Sequence, residues 1–241
     1  RVFLVGSGKF GHQLSDALDC NVYLLDGGHG EYALIDAGGG IDPQRIAANI
    51  ERSGVAMTQV RRLLLTHVHG DHAAGARYFH DTYGIEVICA QEAKPWLEQG
   101  DQEKTSIAAA IRAGVYPADY QYPACPVSRG VAENDVIEVG GVSLRVLETP
   151  GHSRGHVSYV LEENGVKTIF AGDALFAGGK IVLQLIWDCS IQDYAETVEK
   201  LHRLRPDKLF AGHGPFLLAD AWQHVDRAHS CFQRLELPPN L

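Results

Sequence analysis

Short apolar runs alternate along this chain with polar, glycine-bearing breaks, and the period of the apolar positions changes from segment to segment. Residues 2–5, 21–25 and 32–36 are rich in valine, leucine and aromatic side chains, which predicts strands. The last two are joined by Asp26-Gly27-Gly28-His29-Gly30, a signal for an antiparallel hairpin. Residues 42–52 switch to helical spacing, with Ile46, Ala47 and Ile50 following Ile41, and Pro43 in the first turn. Residues 60–65 read as a buried strand, 73–80 as a helix and 87–90 as a further strand. From 91 to about 130 no single period holds; helical pieces precede Tyr116-Pro117-Ala118-Asp119-Tyr120-Gln121-Tyr122-Pro123. Strands return at 136–139, 143–147, 156–161 and 167–170. A helix follows at 191–204, a short strand at 208–211, and a last helix from about 217 to 235.

Strand-rich blocks, each followed by helices, predict an α/β protein with two sheets face to face and helices outside. The 241 residues suit one domain, 1–241, with a variable helical and loop lid at about 91–130. A hydrophobic content of 45% supports a large core. No apolar run reaches the roughly 18 residues of a membrane span. The net charge of −9 disfavours nucleic acid and anionic lipid as partners. A small-molecule substrate is left as the expected partner, and a homodimer is compatible with the composition. The five cysteines, Cys20, Cys89, Cys125, Cys189 and Cys231, are widely spaced and form no C-x-x-C. They read as reduced thiols, and with no leader-like opening they point to a cytoplasmic protein.

One segment changes the picture. Thr66-His67-Val68-His69-Gly70-Asp71-His72 places three imidazoles and a carboxylate within six residues, between a predicted strand and a predicted helix. Imidazole and carboxylate are common ligands for zinc, iron and manganese. Ligands and chemistry gather on such loops at the carboxyl ends of strands. Three later sites repeat one context, an apolar run, a small-residue turn and a polar residue. They are Pro150-Gly151-His152, Ala171-Gly172-Asp173 and Ala211-Gly212-His213. Glycine at such turns lets the backbone bend sharply and approach closely. A competing signal, Gly6-Ser7-Gly8-Lys9-Phe10-Gly11 after the first strand with Asp26 downstream, fits a dinucleotide fingerprint. It lacks the required context, because the second strand runs into a glycine turn and a third strand rather than a helix.

The order His-x-His-x-Asp-His, then His, Asp and His, resembles the metallo-β-lactamase-fold hydrolase superfamily, over Asp36 to His213. The resemblance implies an αββα four-layer sandwich. It also implies two divalent metal ions per chain, with Zn2+ the first expectation and iron or manganese acceptable to the same donors. By the family's pattern one ion takes His67, His69 and His152, and the second takes Asp71, His72 and His213, with Asp173 bridging them. Asp36 matches an early aspartate beneath the site that orients a metal-bound imidazole. Every donor is nitrogen or oxygen, which suits zinc well.

Such a pair of ions, roughly 3.5–4 Å apart, can share a water and lower its pKa toward about 7. The expected activity is therefore a dinuclear hydrolase that attacks a small thioester, lactone or other ester with a metal-bridging hydroxide. Asp71 and Asp173 are the expected catalytic carboxylates. The alternative is an iron-dependent redox enzyme, like a persulfide dioxygenase, using the same cage. The stretch after Gly172 resembles hydroxyacylglutathione hydrolases, yet His213-Gly214-Pro215 departs from their His-Glu-Tyr. Acyl-homoserine lactonases place a tyrosine where this chain has Phe176. Tyr116, Tyr120, Phe176 and Lys180 are the expected substrate contacts. Trp96, Tyr122 and Trp187 are further aromatic candidates, and His156 reads as structural.

Overall fold

In a computed structural model of residues 1–241 the chain forms eleven strands and seven α-helices. The first sheet is six-stranded in sequence order: β1 (Val2–Gly6), β2 (Val22–Asp26), β3 (Tyr32–Ile35), β4 (Val60–Leu64), β5 (Glu86–Ala90) and β6 (Arg129–Val131). Its first three strands pair antiparallel and the rest parallel. The glycine turn therefore does make a hairpin, and β1 also pairs antiparallel with β2, so no βαβ unit exists where the dinucleotide fingerprint would need one. Gly8 is instead wrapped by its own loop: a Cβ there would lie 2.4 Å from the Asp19 carbonyl.

The second sheet runs β11-β10-β9-β8-β7, built from β7 (Val136–Val139), β8 (Val142–Glu148), β9 (Val157–Glu163), β10 (Val166–Gly172) and β11 (Lys208–Ala211). Only β10 and β11 are parallel. The sheets meet through a single core of 48 buried residues drawn from both. Two phenols tie them together: the Tyr23 hydroxyl donates to the Ala211 carbonyl at 2.7 Å, and that of Tyr159 to the Leu65 carbonyl at 2.7 Å.

Helices cover the outer faces. The first, α1 (Pro43–Arg52), buries Ile46, Ala47 and Ile50, and its N-terminus is capped by the Asp42 carboxylate accepting from the Arg45 N–H. On the second sheet α6 (Ile191–Leu204) and α7 (Ala221–Gln233) bury Val198, Leu201 and Val225 against Leu209 in a smaller core. The helix expected at 73–80 is two pieces, α2 (Gly70–Ala73) and α3 (Ala76–Tyr83), because the turn at the histidine cluster starts the helix early and Gly75 interrupts it. A Cβ on Gly75 would lie 2.1 Å from the Ala37 carbonyl. The last helix starts at Ala221, later than expected, because Leu217 is held by reciprocal backbone hydrogen bonds to Leu209.

The stretch 91–130 holds α4 (Lys94–Gln99), α5 (Ile107–Arg112) and, unexpectedly, the edge strand β6 at its end. Its three tyrosines are stapled to the loops beneath. The Tyr116 hydroxyl donates to Asp71 at 3.0 Å, Tyr120 to the Gly39 carbonyl at 2.7 Å and Tyr122 to the Val68 carbonyl at 2.8 Å. No helix is long and apolar enough to cross a membrane.

Candidate metal centre

Every residue of the predicted cluster sits just beyond the carboxyl end of a strand. The turn 66–72 follows β4, His152 follows β8, Asp173 follows β10 and His213 follows β11. Asp36 ends β3 with φ 62°, a left-handed conformation that aspartate tolerates better than most residues. Two glycines make room. A Cβ on Gly212 would lie 2.2 Å from Asp173 Oδ1, and one on Gly172, whose φ is +48°, would lie 2.6 Å from Thr66 Oγ1. The small-residue turns seen in the sequence are thus steric necessities.

The imidazoles are oriented one by one. In four of them one ring nitrogen faces a protein oxygen that can accept its proton, which turns the other nitrogen toward a common centre. His67 Nδ1 lies 3.1 Å from Thr66 Oγ1, whose hydroxyl donates to Asp36. His72 Nδ1 lies 2.8 Å from Asp36 Oδ2. His69 Nε2 lies 3.0 Å from Asp188 Oδ2, and His152 Nδ1 lies 3.4 Å from the Val182 carbonyl. The inward atoms converge: His69 Nδ1 and His152 Nε2 are 3.0 Å apart. The donor atoms of His67, His69 and His152 lie within 4.8 Å of one another, as do those of Asp71, His72 and His213. Asp173 lies between the two groups, with Oδ1 3.4 Å from His72 Nε2 and Oδ2 3.4 Å from His213 Nε2 and 3.6 Å from His152 Nε2.

Three buried side-chain atoms have no hydrogen-bond partner: His67 Nε2, His72 Nε2 and Asp173 Oδ1. Buried polar atoms are rarely left without partners. All three belong to this cluster, and a divalent cation accepts the lone pairs of such atoms. The donor set therefore fits divalent metal, and Asp173 lies within reach of imidazoles from both groups.

Electrostatics divides the same residues. Burial lowers His67 well below its ordinary value, with the neighbouring imidazoles adding to the effect, and takes His152 down to about 4. Burial also opposes charge on His213, but the Asp173 and Asp71 carboxylates outweigh it and hold the ring up at about 9. His72 is raised well above its ordinary value, again against burial, by Cys20, Asp173, Asp36 and Asp71. Burial would raise Asp71, but His72 and His213 keep its carboxyl well below the carboxylate range.

One supporting residue escaped the sequence reading, and the structure gives a second, His156, its particular role. Asp188 anchors His69 and accepts a hydrogen bond from Ser106 Oγ at 2.7 Å, which connects the stretch 91–130 to a candidate ligand. No motif surrounds Asp188, and only the fold brings it within reach. His156 is structural in a specific way: its Nε2 accepts from the Asp173 backbone N–H at 3.1 Å while Nδ1 faces Thr149 Oγ1 at 2.9 Å. The pattern Thr149-Pro150-Gly151-His152 followed by His156 on one short loop was the available signal. Replacing Asp36 or Asp188 by alanine is expected to leave folded protein with zinc affinity weakened about 10–100-fold. A competition titration against a chromophoric chelator measures this, and unchanged affinity in both variants would contradict the assignment.

Beside the cluster opens a cavity of about 550 Å³, lined by Asp71, His152, Asp173 and His213 on its floor. Of the four expected substrate contacts only Tyr116 lines it. Tyr120 stacks behind Tyr116 at 4.4 Å between ring centroids. Phe176 is buried with its ring 6.2 Å from that of His213, and Lys180 pairs with it as the closing residue of a tight turn. Tyr120 lies outside the lining because Tyr116 stands in front of it, and Phe176 and Lys180 because they pair with each other in the turn after Asp173. Trp96 and Trp187 pack edge-on against each other at 5.6 Å and also lie outside it.

The family model of the metallo-β-lactamase superfamily matches residues 15–213. The chain belongs to the metallo-β-lactamase superfamily. Within it, the chain is 31% identical over 193 residues to a hydroxyacylglutathione hydrolase of Rhodopseudomonas palustris, a match covering 79% of this chain and 61% of that protein. It is 31% identical over 219 residues to the enzyme of the same name from Bradyrhizobium, covering 88% and 65%. The chain thus spans less than two thirds of the length of these relatives. A solved metallo-β-lactamase family protein of Thermus thermophilus superposes with a TM-score of 0.73 at 26% identity, over 97% of this chain and 79% of that one. The αββα superfamily fold expected from the sequence is the fold observed.

Proposed function

We propose that this superfamily member is a dinuclear metal-dependent hydrolase of a small ester, thioester or lactone. The observation that carries the reading is the convergence of the inward imidazole nitrogens and the Asp173 carboxylate on two adjacent donor groups, at the floor of an open cavity. His67, His69 and His152 would hold one ion, and Asp71, His72 and His213 the other. When bound, two such ions supply Lewis-acid polarisation of a carbonyl and a water acidic enough to ionise near neutral pH.

The side chains supply the rest. Asp36 and Asp188 fix the ring orientations of His72 and His69. Tyr116 accepts the Asp71 N–H at 3.0 Å and donates to its Oδ1 at 3.0 Å, so the carboxylate cannot swing away. Asp71 is ionised at neutral pH and lines the cavity, with Oδ1 held by Tyr116 and Oδ2 3.1 Å from His213 Nε2, so it serves as a fixed negative donor, and the proton for the leaving group would come from the attacking water. Apolar side chains make up most of the lining away from the floor.

The name of the bacterial relatives makes a thioester the first substrate class to test. The experiment is metal analysis of the protein, followed by kcat/KM on thioesters, esters, lactones, β-lactams and phosphodiesters. Close to two zinc ions per chain with thioester, ester or lactone turnover is expected. One iron per chain, with oxygen consumption and no hydrolysis, would overturn the reading in favour of redox chemistry.

A further inference from the structure

The cavity is one-sided in its chemistry. Ten of its nineteen lining residues are hydrophobic, and none is lysine or arginine. Its apolar lining includes Ala109 and Ala110 of α5, Ala113 just after that helix, and Val182, Leu185 and Ile186 of the segment 182–186. The polar side chains away from the floor, Thr105, Ser106 and Gln184, are all neutral. Four exposed apolar side chains ring the mouth: Phe10, Val115, Leu185 and Leu241. The nearest cations lie at or outside the rim, against aromatic rings or a carboxylate. Lys9 stacks over Phe10, Lys104 over Trp187, and Arg154 pairs with Glu92 at 2.8 Å. The whole chain carries a net charge of −9.

We infer that the substrate of this site is a neutral ester or thioester carrying an unbranched apolar chain, which lies between α5 and the segment 182–186 and leaves past Leu185. The site and the bond cleaved rest on the hydrolase reading above. An apolar chain gains from every methylene removed from water along these walls. A glutathione-like carrier, with two carboxylates, meets no lysine or arginine along these walls and must leave its charges solvated or unpaired. Exposed leucine and phenylalanine at the rim of a cavity mark contact with an apolar ligand rather than chance exposure, because they are contiguous with the apolar walls.

Two measurements on the zinc-loaded full chain test this. Calorimetric binding of non-hydrolysable S-alkyl-N-acetylcysteamine thioethers, from ethyl to octyl, is expected to tighten about twofold to fourfold per methylene. The matched S-alkylglutathiones are expected to bind at least about tenfold more weakly. In parallel, kcat/KM for acetyl to octanoyl thioesters of N-acetylcysteamine is expected to rise with chain length. Leu185→Ser and Ala113→Arg, both at exposed positions, are expected to flatten the chain-length dependence in both assays while the melting temperature stays near that of the parent. Binding and turnover independent of chain length, tighter binding of the glutathione series, or an undiminished slope in both variants would overturn the inference. Chain-length-dependent binding with no turnover of any substrate would sink the hydrolase reading and leave the inference about the cavity standing.

Discussion

Asp173→Ala is expected to lose on the order of a thousandfold in kcat/KM, the scale of several kcal/mol of lost transition-state stabilisation. Asp173 is the one side chain within 3.4–3.6 Å of imidazoles from both donor groups. Its removal therefore uncouples the two halves rather than weakening one. The fold is expected to survive, because the contact that anchors this turn is made by the Asp173 backbone N–H to His156 rather than by the carboxylate. The variant should melt cooperatively and bind fewer than two zinc ions. Asp173→Asn, which keeps the volume and loses the charge, should fall close to the alanine variant. An alanine variant within about tenfold of the parent, with two zinc ions still bound, would show that Asp173 does not bridge.

Zinc uptake by metal-free protein is expected to tighten steeply with pH. The Asp173 and Asp71 carboxylates hold His213 at about 9, so its ring is protonated at neutral pH in the absence of metal. A nitrogen must shed that proton before it can ligate. Below about pH 9 each unit of pH therefore gains tenfold in apparent affinity from His213 alone, or about 100-fold between pH 6 and 8. His72, raised well above its ordinary value, acts in the same direction and steepens the dependence. The sign for the metal-free fold is opposite. A ring whose folded pKa is raised stabilises the fold fully below its ordinary value of 6.5, and this stabilisation is lost as pH rises through about 9. Zinc competition titrations at several pH values, with thermal melts of the chelated protein alongside, read both effects. An association constant flat within about threefold over that range would contradict the protonation states assigned here.

Much of this site was legible along the chain because its parts are local or punctuated. The quartet His67, His69, Asp71 and His72 lies on one strand-to-helix turn, and the glycines beside His152, Asp173 and His213 are needed where the backbone must bend and make room. The hairpin and the helices 43–52 and 191–204 were equally plain, since a period of two or of 3.6 is a local property. The edge strand β6 was not, because its three residues, Arg129–Val131, carry no alternation and gain their pairing from β5 alone.

Which side chains support the ligands, and what the cavity accepts, belonged to the tertiary structure. Asp188 is 119 residues from His69 and Ser106 is 82 from Asp188, so nothing in the spacing announces their hydrogen bonds. Tyr116 and Tyr120 are near neighbours in sequence, yet one lines the cavity and the other stacks behind it. Phe176 and Lys180 follow a candidate ligand closely but pair with each other outside the cavity lining. The sequence by itself determined the candidate donor set, because a divalent cation calls for imidazole and carboxylate donors and these fall on strand-end turns. The tertiary structure decided the supporting partners and the apolar character of the cavity, because both depend on the directions in which side chains from distant segments point, and those directions exist only once the two sheets have packed.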